Sequence, residues 1–530
     1  MRTSPLVFTA ILTTAGLIWL SGSPARSQAQ TAPAAAQSSP PPLKCTPAAN
    51  PDPFLPDPFK VRLAGEFPAG LLPIDDTVKD SIMKSGLPCQ ENVRPNVGQE
   101  SEGLENLQRG FDFYSWRTFI ALNSPADGKT SFDHAKADMR ARWEDMDSFK
   151  PLLDVMLPPN LQPPKWPTDR AGMEAERERL VPEQCRDLHK QFPDRMIVKM
   201  IEESFNEPFK TGPLIDQQGH YAIFDILMNR EMFNYITMNH LNSRPGQMSA
   251  ANSGLTVDFP PGTHDTLGAF MLKVSWKILV PEEIQAQNFH MVKALVLMPP
   301  GDPKAKRPCI PETLGLIGFH AVHKTVGRPQ WIWTSFEHIK NVPDRNEVAA
   351  RTFDGPYSFF SVSCKDDCPT ENATPPRPWD PDPALQLRFR KDDSYRSQIV
   401  RETPLGHATS NMNRVFQSML QDSVWKNYML INTQWPSAFA CTSLRSLSFD
   451  APAPKNDFVR QPDMTCSPAP TFMANSTLET YSQGDIPQAS SSCIGCHGNA
   501  VSFQTRPSNP KLGTVNLNQS DFTFMLEKAQ

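Results

Sequence analysis

The sequence predicts an α+β fold: an antiparallel sheet or sandwich inside a loop-rich body, with helices flanking it. Three observations carry this. Four short runs between residues 270 and 339 are aromatic and β-branched, helical periodicity lies on either side of them, and 54 Pro against 26 Gly interrupt long helices. At 530 residues the chain exceeds the roughly 250 to 300 at which a single core stops growing, so two packed units or one large domain with an appendage are expected.

The chain opens with Met1 and Arg2, a 15-residue apolar stretch over 6–20, and small residues at 25–29 that suit cleavage, so 1–29 reads as a secretory signal peptide. Such a stretch is short of the ~20 residues that span a bilayer. Residues 30–58, rich in Pro, Ala, Ser and Gln, read as a disordered linker, 59–465 as the main body, and 466–530 as a C-terminal segment packed on it. Within the body, LENLQRGFDFYSWRTFIALN (104–123) spaces Leu104, Leu107, Phe111, Trp116, Phe119, Ile120 and Leu122 along one helical face. NREMFNYITMNHLN (229–242) predicts a second helix. FMLKVSWKILV (270–280), MVKALVLM (291–298), LGLIGFHAV (314–322) and QWIWTSFEHI (330–339) predict strands bounded by Pro, Gly and Asp. Helical spacing returns over 411–421 and 423–431, ahead of INTQWP. Internal repeats are not apparent, which disfavours a solenoid or propeller.

Lys plus Arg (52) nearly balance Asp plus Glu (57), so no overall field favours nucleic acid or an anionic membrane. No later stretch approaches 18 uninterrupted apolar residues, and no stable membrane insertion is expected once the signal is removed. A periplasmic or secreted location follows. Of ten Cys, eight remain after setting aside Cys493 and Cys496, and in an oxidising compartment they suit up to four disulfides whose pairing the sequence leaves open. Cys364 and Cys368, spaced CKDDC, either close a tiny loop or reach elsewhere.

The sharpest chemical motif is Ser492-Cys493-Ile494-Gly495-Cys496-His497-Gly498. In a CxxCH sequence each thiol adds to one vinyl group of haem and the adjoining His puts an imidazole nitrogen on the iron, so Cys493, Cys496 and His497 predict one haem c. From composition the pattern arises by chance about 0.004 times per chain. A short disulfide or half of a Zn site fits less well, since no second ligand pair stands at suitable spacing. Only 33 residues follow His497; most of any haem pocket must therefore come from earlier in the chain. Candidates for the sixth iron ligand are Met525, in DFTFMLEK, and His320, His323 and His338, with an open position as the further option. A hairpin around Gly327 puts His323 and His338 on one face and His320 on the other in one register, and a one-residue slip reverses the grouping.

SWRTFIALN, VKMIEES, FDILMNREMFNYI, KVSWKIL, GFHAVHKT, WIWTSFEHIKNVPD, RETPLGH, NYMLINTQWP, ANSTLETY and SCIGCHG together resemble a family of large exported proteobacterial cytochrome c family proteins, from about Leu104 to the C-terminus. The resemblance implies haem binding and electron transfer, carries over Cys493, Cys496 and His497, and supplies no substrate. The leading expectation is one-electron transfer with a redox partner protein. The alternative is a haem-dependent oxidoreductase acting on a small substrate or peroxide, in which Lys273, Trp276, His323, Glu337 or His338 assist proton transfer. A binding or scaffolding protein stapled by haem is a third class. No GxGxxG, GxxxxGK or GxSxG sequence points to a nucleotide cofactor or an esterase.

Overall fold

Aromatic and β-branched runs become strands here because each finds a partner on both edges. The computed structural model describes residues 44–47, 76–91, 93, 103–299, 308–364, 368–391, 395–436, 468–470, 472–483, 492–498, 500–502 and 520–530. The expected signal peptide, and all of the expected linker but four residues, lie outside the described residues. Inside that linker, β1 (Cys45–Thr46) pairs in parallel with β2 (Leu87–Pro88), and a Cys45–Cys89 disulfide ties the two together.

The body is α+β, built on a nine-stranded sheet. Its strands are β3 (Lys150–Pro151), β4 (Met196–Lys199), β5 (Ile223–Met228), β6 (Phe270–Ile278), β7 (Met291–Leu297), β8 (Cys309–Thr325), β9 (Arg328–His338), β10 (Tyr428–Pro436) and β11 (Pro468–Ala469). The main path runs β11-β10-β9-β8-β6-β5-β3, all antiparallel. The 17-residue β8 takes β6 along one edge, and along the other it takes β7 with its first half and β9 with its second. β4 joins β7 in parallel. The result is one sheet rather than a sandwich.

Among the described residues, six helices reach eight residues: α1 (Asp76–Met83), α2 (Gly103–Asn123), α3 (Arg170–Leu180), α4 (Arg230–Met238), α5 (Arg244–Asn252) and α6 (His407–Met419). Asn229 caps α4 by accepting from Met232 N–H. The expected helix at 423–431 is corrected: a single 3₁₀ turn, Val424–Asn427, passes into β10. The apolar spacing there is compatible with a helix, but Tyr428 to Gln434 pair with His338 to Trp333 across the open edge of β9, and that ladder decides.

Register assigns every side chain to one of two faces. His320 pairs with Ser335, Val322 with Trp333 and His323 with Ile332. His323 and His338 therefore share one face, and His320, Trp333 and Glu337 the other, which is the first of the two groupings expected. The first face is covered by α2 and α6. Phe119 stacks on Phe336 at 4.1 Å and meets Phe319 edge-on at 5.5 Å, while Trp116 stacks on Phe416 at 4.7 Å. Ser115 Oγ, on α2, bonds the hydroxyls of Thr334 (2.7 Å) and Thr433 (2.6 Å). On the second face Met228, Met271, Val322, Trp333 and Ile431 join one apolar cluster with Ile494, Phe522, Met525 and Leu526 from the C-terminal segment. That segment docks on this face beside α4, whose Met232, Phe233 and Ile236 join the same cluster.

Further disulfides join Cys185 to Cys309 and Cys364 to Cys368, the latter closing the small loop. Cys441 and Cys466 lie outside the described residues. Among the described residues no helix is long and apolar enough to cross a membrane.

Because Phe119 sits fully buried among six aromatic rings, Phe119→Ala is expected to cost about 3–5 kcal/mol in urea unfolding followed by Trp fluorescence.

Candidate functional site

Three short stretches of the C-terminal segment lie on the second face. The first, 472–483, is held by buried carboxylates. Glu337, fully buried on β9, pairs with Arg401 (2.8 Å) and accepts from Ser476 N–H (2.5 Å) and Oγ–H (2.6 Å). Asn475 Nδ2 donates to Ser335 Oγ and to the Phe336 carbonyl, both at 3.0 Å. Gly318 lies beneath: a methyl there would overlap Ser275 Oγ and Thr477 Oγ1, so the close approach needs glycine. Glu207 accepts from Thr480 N–H (2.8 Å) and lies 2.9 Å from Thr480 Oγ1, which is also 2.9 Å from the Ser476 carbonyl. One hydroxyl proton cannot serve both acceptors, and a protonated Glu207 resolves this by donating. Burial pushes that carboxyl up to about 8.

The second stretch is α7 (Cys493–His497), the CxxCH motif. Ser492 caps it, Oγ accepting from Gly495 N–H at 3.1 Å. Gln434 of β10 fixes its position: Oε1 accepts from Ile494 N–H (2.8 Å) and Ser492 Oγ–H (3.2 Å), while Nε2 donates to the Pro470 carbonyl (2.8 Å). Cys493 and Cys496 are free thiols one turn apart, not joined to each other. Burial first, and Glu479 second, push both up, Cys496 to about 12, so both are neutral thiols.

The third stretch, 520–530, orients the histidine. His497 Nδ1 lies 2.9 Å from the Phe522 carbonyl. A carbonyl only accepts, so Nδ1 carries the proton and the Nε2 lone pair is left for a metal. Burial pushes the ring down to about 4, which keeps it neutral. Trp333 and Phe524 flank it, with centroids at 4.4 and 5.0 Å. The carbonyl is aimed by two consecutive non-glycine residues in the left-handed region, Asp521 (φ 52°) and Phe522 (φ 63°), a conformation that costs energy and persists where its surroundings impose it. Here Asp521 Oδ2 accepts from Lys324 Nζ (2.6 Å) and Phe259 N–H (2.7 Å). The chain end is pinned by Arg244, whose N–H reaches the Gln530 carbonyl at 3.1 Å and whose Nε reaches Ala529 O at 2.9 Å.

The remaining expected residues divide by face. His320 lies on the motif's face, Nε2 at 3.0 Å from Glu479 Oε1, with Lys273 Nζ 3.9 Å from the same oxygen. Burial works to raise the Glu479 carboxyl, but His320 and Lys273 beside it, with hydrogen bonds from His320 and the Asn475 N–H, outweigh it and hold Glu479 down at about 2. Met525 is buried in the apolar cluster with Ile494 and Phe522. His323 lies across the sheet with both nitrogens engaged, Nε2 with the Leu267 carbonyl and Nδ1 with Tyr114 OH, each at 2.5 Å. His338 is likewise engaged, Nε2 with Asn288 O and Nδ1 with Lys340 N–H, both at 3.1 Å. Trp276 packs against Trp143 on that side. Among the described residues no group of three or more His, Cys, Asp or Glu is placed to hold a metal ion, and the three histidines do not converge. Sequence reasoning missed Gln434, Glu479 and the Asp521–Lys324 pair. The one available hint was polar residues placed inside otherwise apolar runs.

Comparison of the chain with protein-family models, with curated proteins and with solved structures finds no match in any of the three.

Glu207 gives a pH test. Its folded-state value lies above the ordinary 4.5, so its contribution to stability is full below about 4.5 and lost as pH rises through about 8. Glu207→Gln, which can accept from the Thr480 N–H and donate to Oγ1, is expected to remove that decline in urea titrations between pH 5 and 9. An unchanged slope contradicts the assignment.

Proposed function

We propose that the chain is an exported mono-haem c-type cytochrome that transfers electrons to or from a redox partner protein. The observation that carries this is the His497 hydrogen bond: two unpaired thiols stand one turn apart beside an imidazole whose Nδ1 is committed to the Phe522 carbonyl, leaving Nε2 free. This donor set fits haem c: Cys493 and Cys496 would hold it through their sulfurs and His497 would ligate its iron. When bound, the haem supplies a one-electron couple. The protein's own residues do the rest. The Phe522 carbonyl makes the imidazole a stronger donor and stops its rotation, Gln434 sets the height of the motif above the sheet, and Trp333 with Ile494 and Phe522 exclude water. The disulfides Cys45–Cys89, Cys185–Cys309 and Cys364–Cys368 suit an oxidising compartment and so support export.

A second reading, a haem-dependent oxidoreductase on a small substrate or peroxide, rests on His320, Glu479 and Lys273. These three lie close enough to act electrostatically on His497, and a polar cluster on the motif's face could move protons beside an open iron position.

Protein matured in a periplasm is expected to show a haem c spectrum and to keep haem on a denaturing gel. Cys493→Ala should hold haem by at most one thioether, and Cys493→Ala/Cys496→Ala by none. No added macrocycle mass in the unaltered protein overturns the proposal. A low-spin spectrum unmoved by cyanide or carbon monoxide supports electron transfer, and a high-spin, ligand-binding one the oxidoreductase.

A further inference from the structure

Away from the CxxCH motif, a cavity of about 510 Å³ opens between the β3–β5 edge and β4, a volume within the range of small-molecule sites. Its deep wall is apolar, formed by Trp143, Phe149, Leu227 and Met291, all buried. Set into that wall is the carboxyl group of Asp225, a residue with only 6% of its surface exposed. Register fixes its direction. Asp225 pairs with Val274 and Leu227 with Leu272, so both project from the face of the sheet that carries His323.

That carboxyl has no cation of its own. One Asp225 oxygen accepts from the Ile226 N–H next to it (2.9 Å), and the other has no partner among the described residues. Lys150, on the neighbouring strand, points the other way: it pairs with Met228, and its ammonium lies over the Trp166 ring, 5.4 Å from the centroid. Lys199, Arg140 and Arg177, also on the wall, are engaged elsewhere, the first by Asp154 and the Leu180 carbonyl (3.2 Å), the second by Asp145 (3.1 Å) and the third by the Pro193 carbonyl (3.0 Å). Glu144 is taken by His290 at 2.5 Å. Of the Asp154–Lys199 pair, the carboxylate acts on Asp225 more strongly than the ammonium does, so the pair leaves a net negative field there. Burial first, and Asp154 second, push the Asp225 carboxyl up to about 8. A cation held against its free oxygen relieves both effects, because a buried carboxylate is stable only when paired.

We propose that this cavity binds a small apolar molecule bearing a single ammonium group, its hydrocarbon part against Trp143, Phe149, Leu227 and Met291 and its ammonium on the free oxygen of Asp225. On binding, the Asp225 carboxyl gives up its proton to solvent and remains as a carboxylate beside the ammonium. This site is independent of the haem reading. β5 separates the two, presenting Asp225 and Leu227 to the cavity while Met228 belongs to the cluster under the motif.

The full chain as isolated is titrated by calorimetry at the pH where Asp225 is half ionised, about 8, with benzylamine, benzyl alcohol and benzoate. Benzylamine is expected to saturate one site and to bind about tenfold or more tightly than the neutral or the anionic probe. Saturation should leave any haem absorbance unmoved, because an amine on the iron would shift it. Asp225→Asn, near in shape, should bring benzylamine down to the level of the alcohol. Equal binding of the alcohol, tighter binding of benzoate, no saturable amine binding beyond that which shifts the haem absorbance, or an Asp225→Asn chain that folds and binds benzylamine unchanged each overturn the proposal. The ranking of the probes on the unaltered protein decides by itself if the variant does not fold.

Discussion

Glu337 and Arg401 are buried together on the face of the sheet that carries the C-terminal segment, and the way the carboxylate completes its bonding governs what lies above it. Arg401 leaves lone pairs on both oxygens, and Ser476 takes them through its backbone N–H and its hydroxyl. Removing one partner of such a pair strands a charge in the interior, at a cost of about 3–5 kcal/mol. The 472–483 stretch is therefore part of the charge compensation of the core. Glu479, four residues from Asn475, then faces His320 and Lys273 with no freedom to choose another place.

From that anchor the arrangement of the motif follows by parity. Trp333 and Glu337 are four apart on β9 and so emerge on one face, as do Lys273 on β6 and His320 opposite it on β8. Gln434, paired with Trp333, adds the acceptor that seats α7. Contributions separated by more than two hundred residues meet because antiparallel pairing aligns them, which is how the CxxCH motif comes to be walled in by strands from the middle of the chain.

Much of the architecture was legible in the residues. The α2 run and the four central strands were readable because their apolar spacing is long and agrees with their burial, and both faces of the His320, His323 and His338 set came out in one of the two expected registers. β10 was misread as helix because TrpLysAsnTyrMetLeuIle satisfies both periods, and only the free edge of β9 distinguishes them. β5 was not seen as a strand: Ile223–Met228 is buried on both sides and merges into the helix that follows. In the site, Cys493, Cys496 and His497 announce themselves through adjacent spacing. The groups that orient them do not, since Gln434, Glu337 and Lys324 are brought near by topology and leave no local pattern.

The partner of His497 is a main-chain oxygen, directed by left-handed backbone at Asp521 and Phe522. Every amino acid carries that oxygen, so exchanging the Phe522 side chain leaves the acceptor in place. The Lys324–Asp521 contact steers the peptide plane instead, so mutational drift can rotate or slide the imidazole's support by small amounts and has no single step that deletes it.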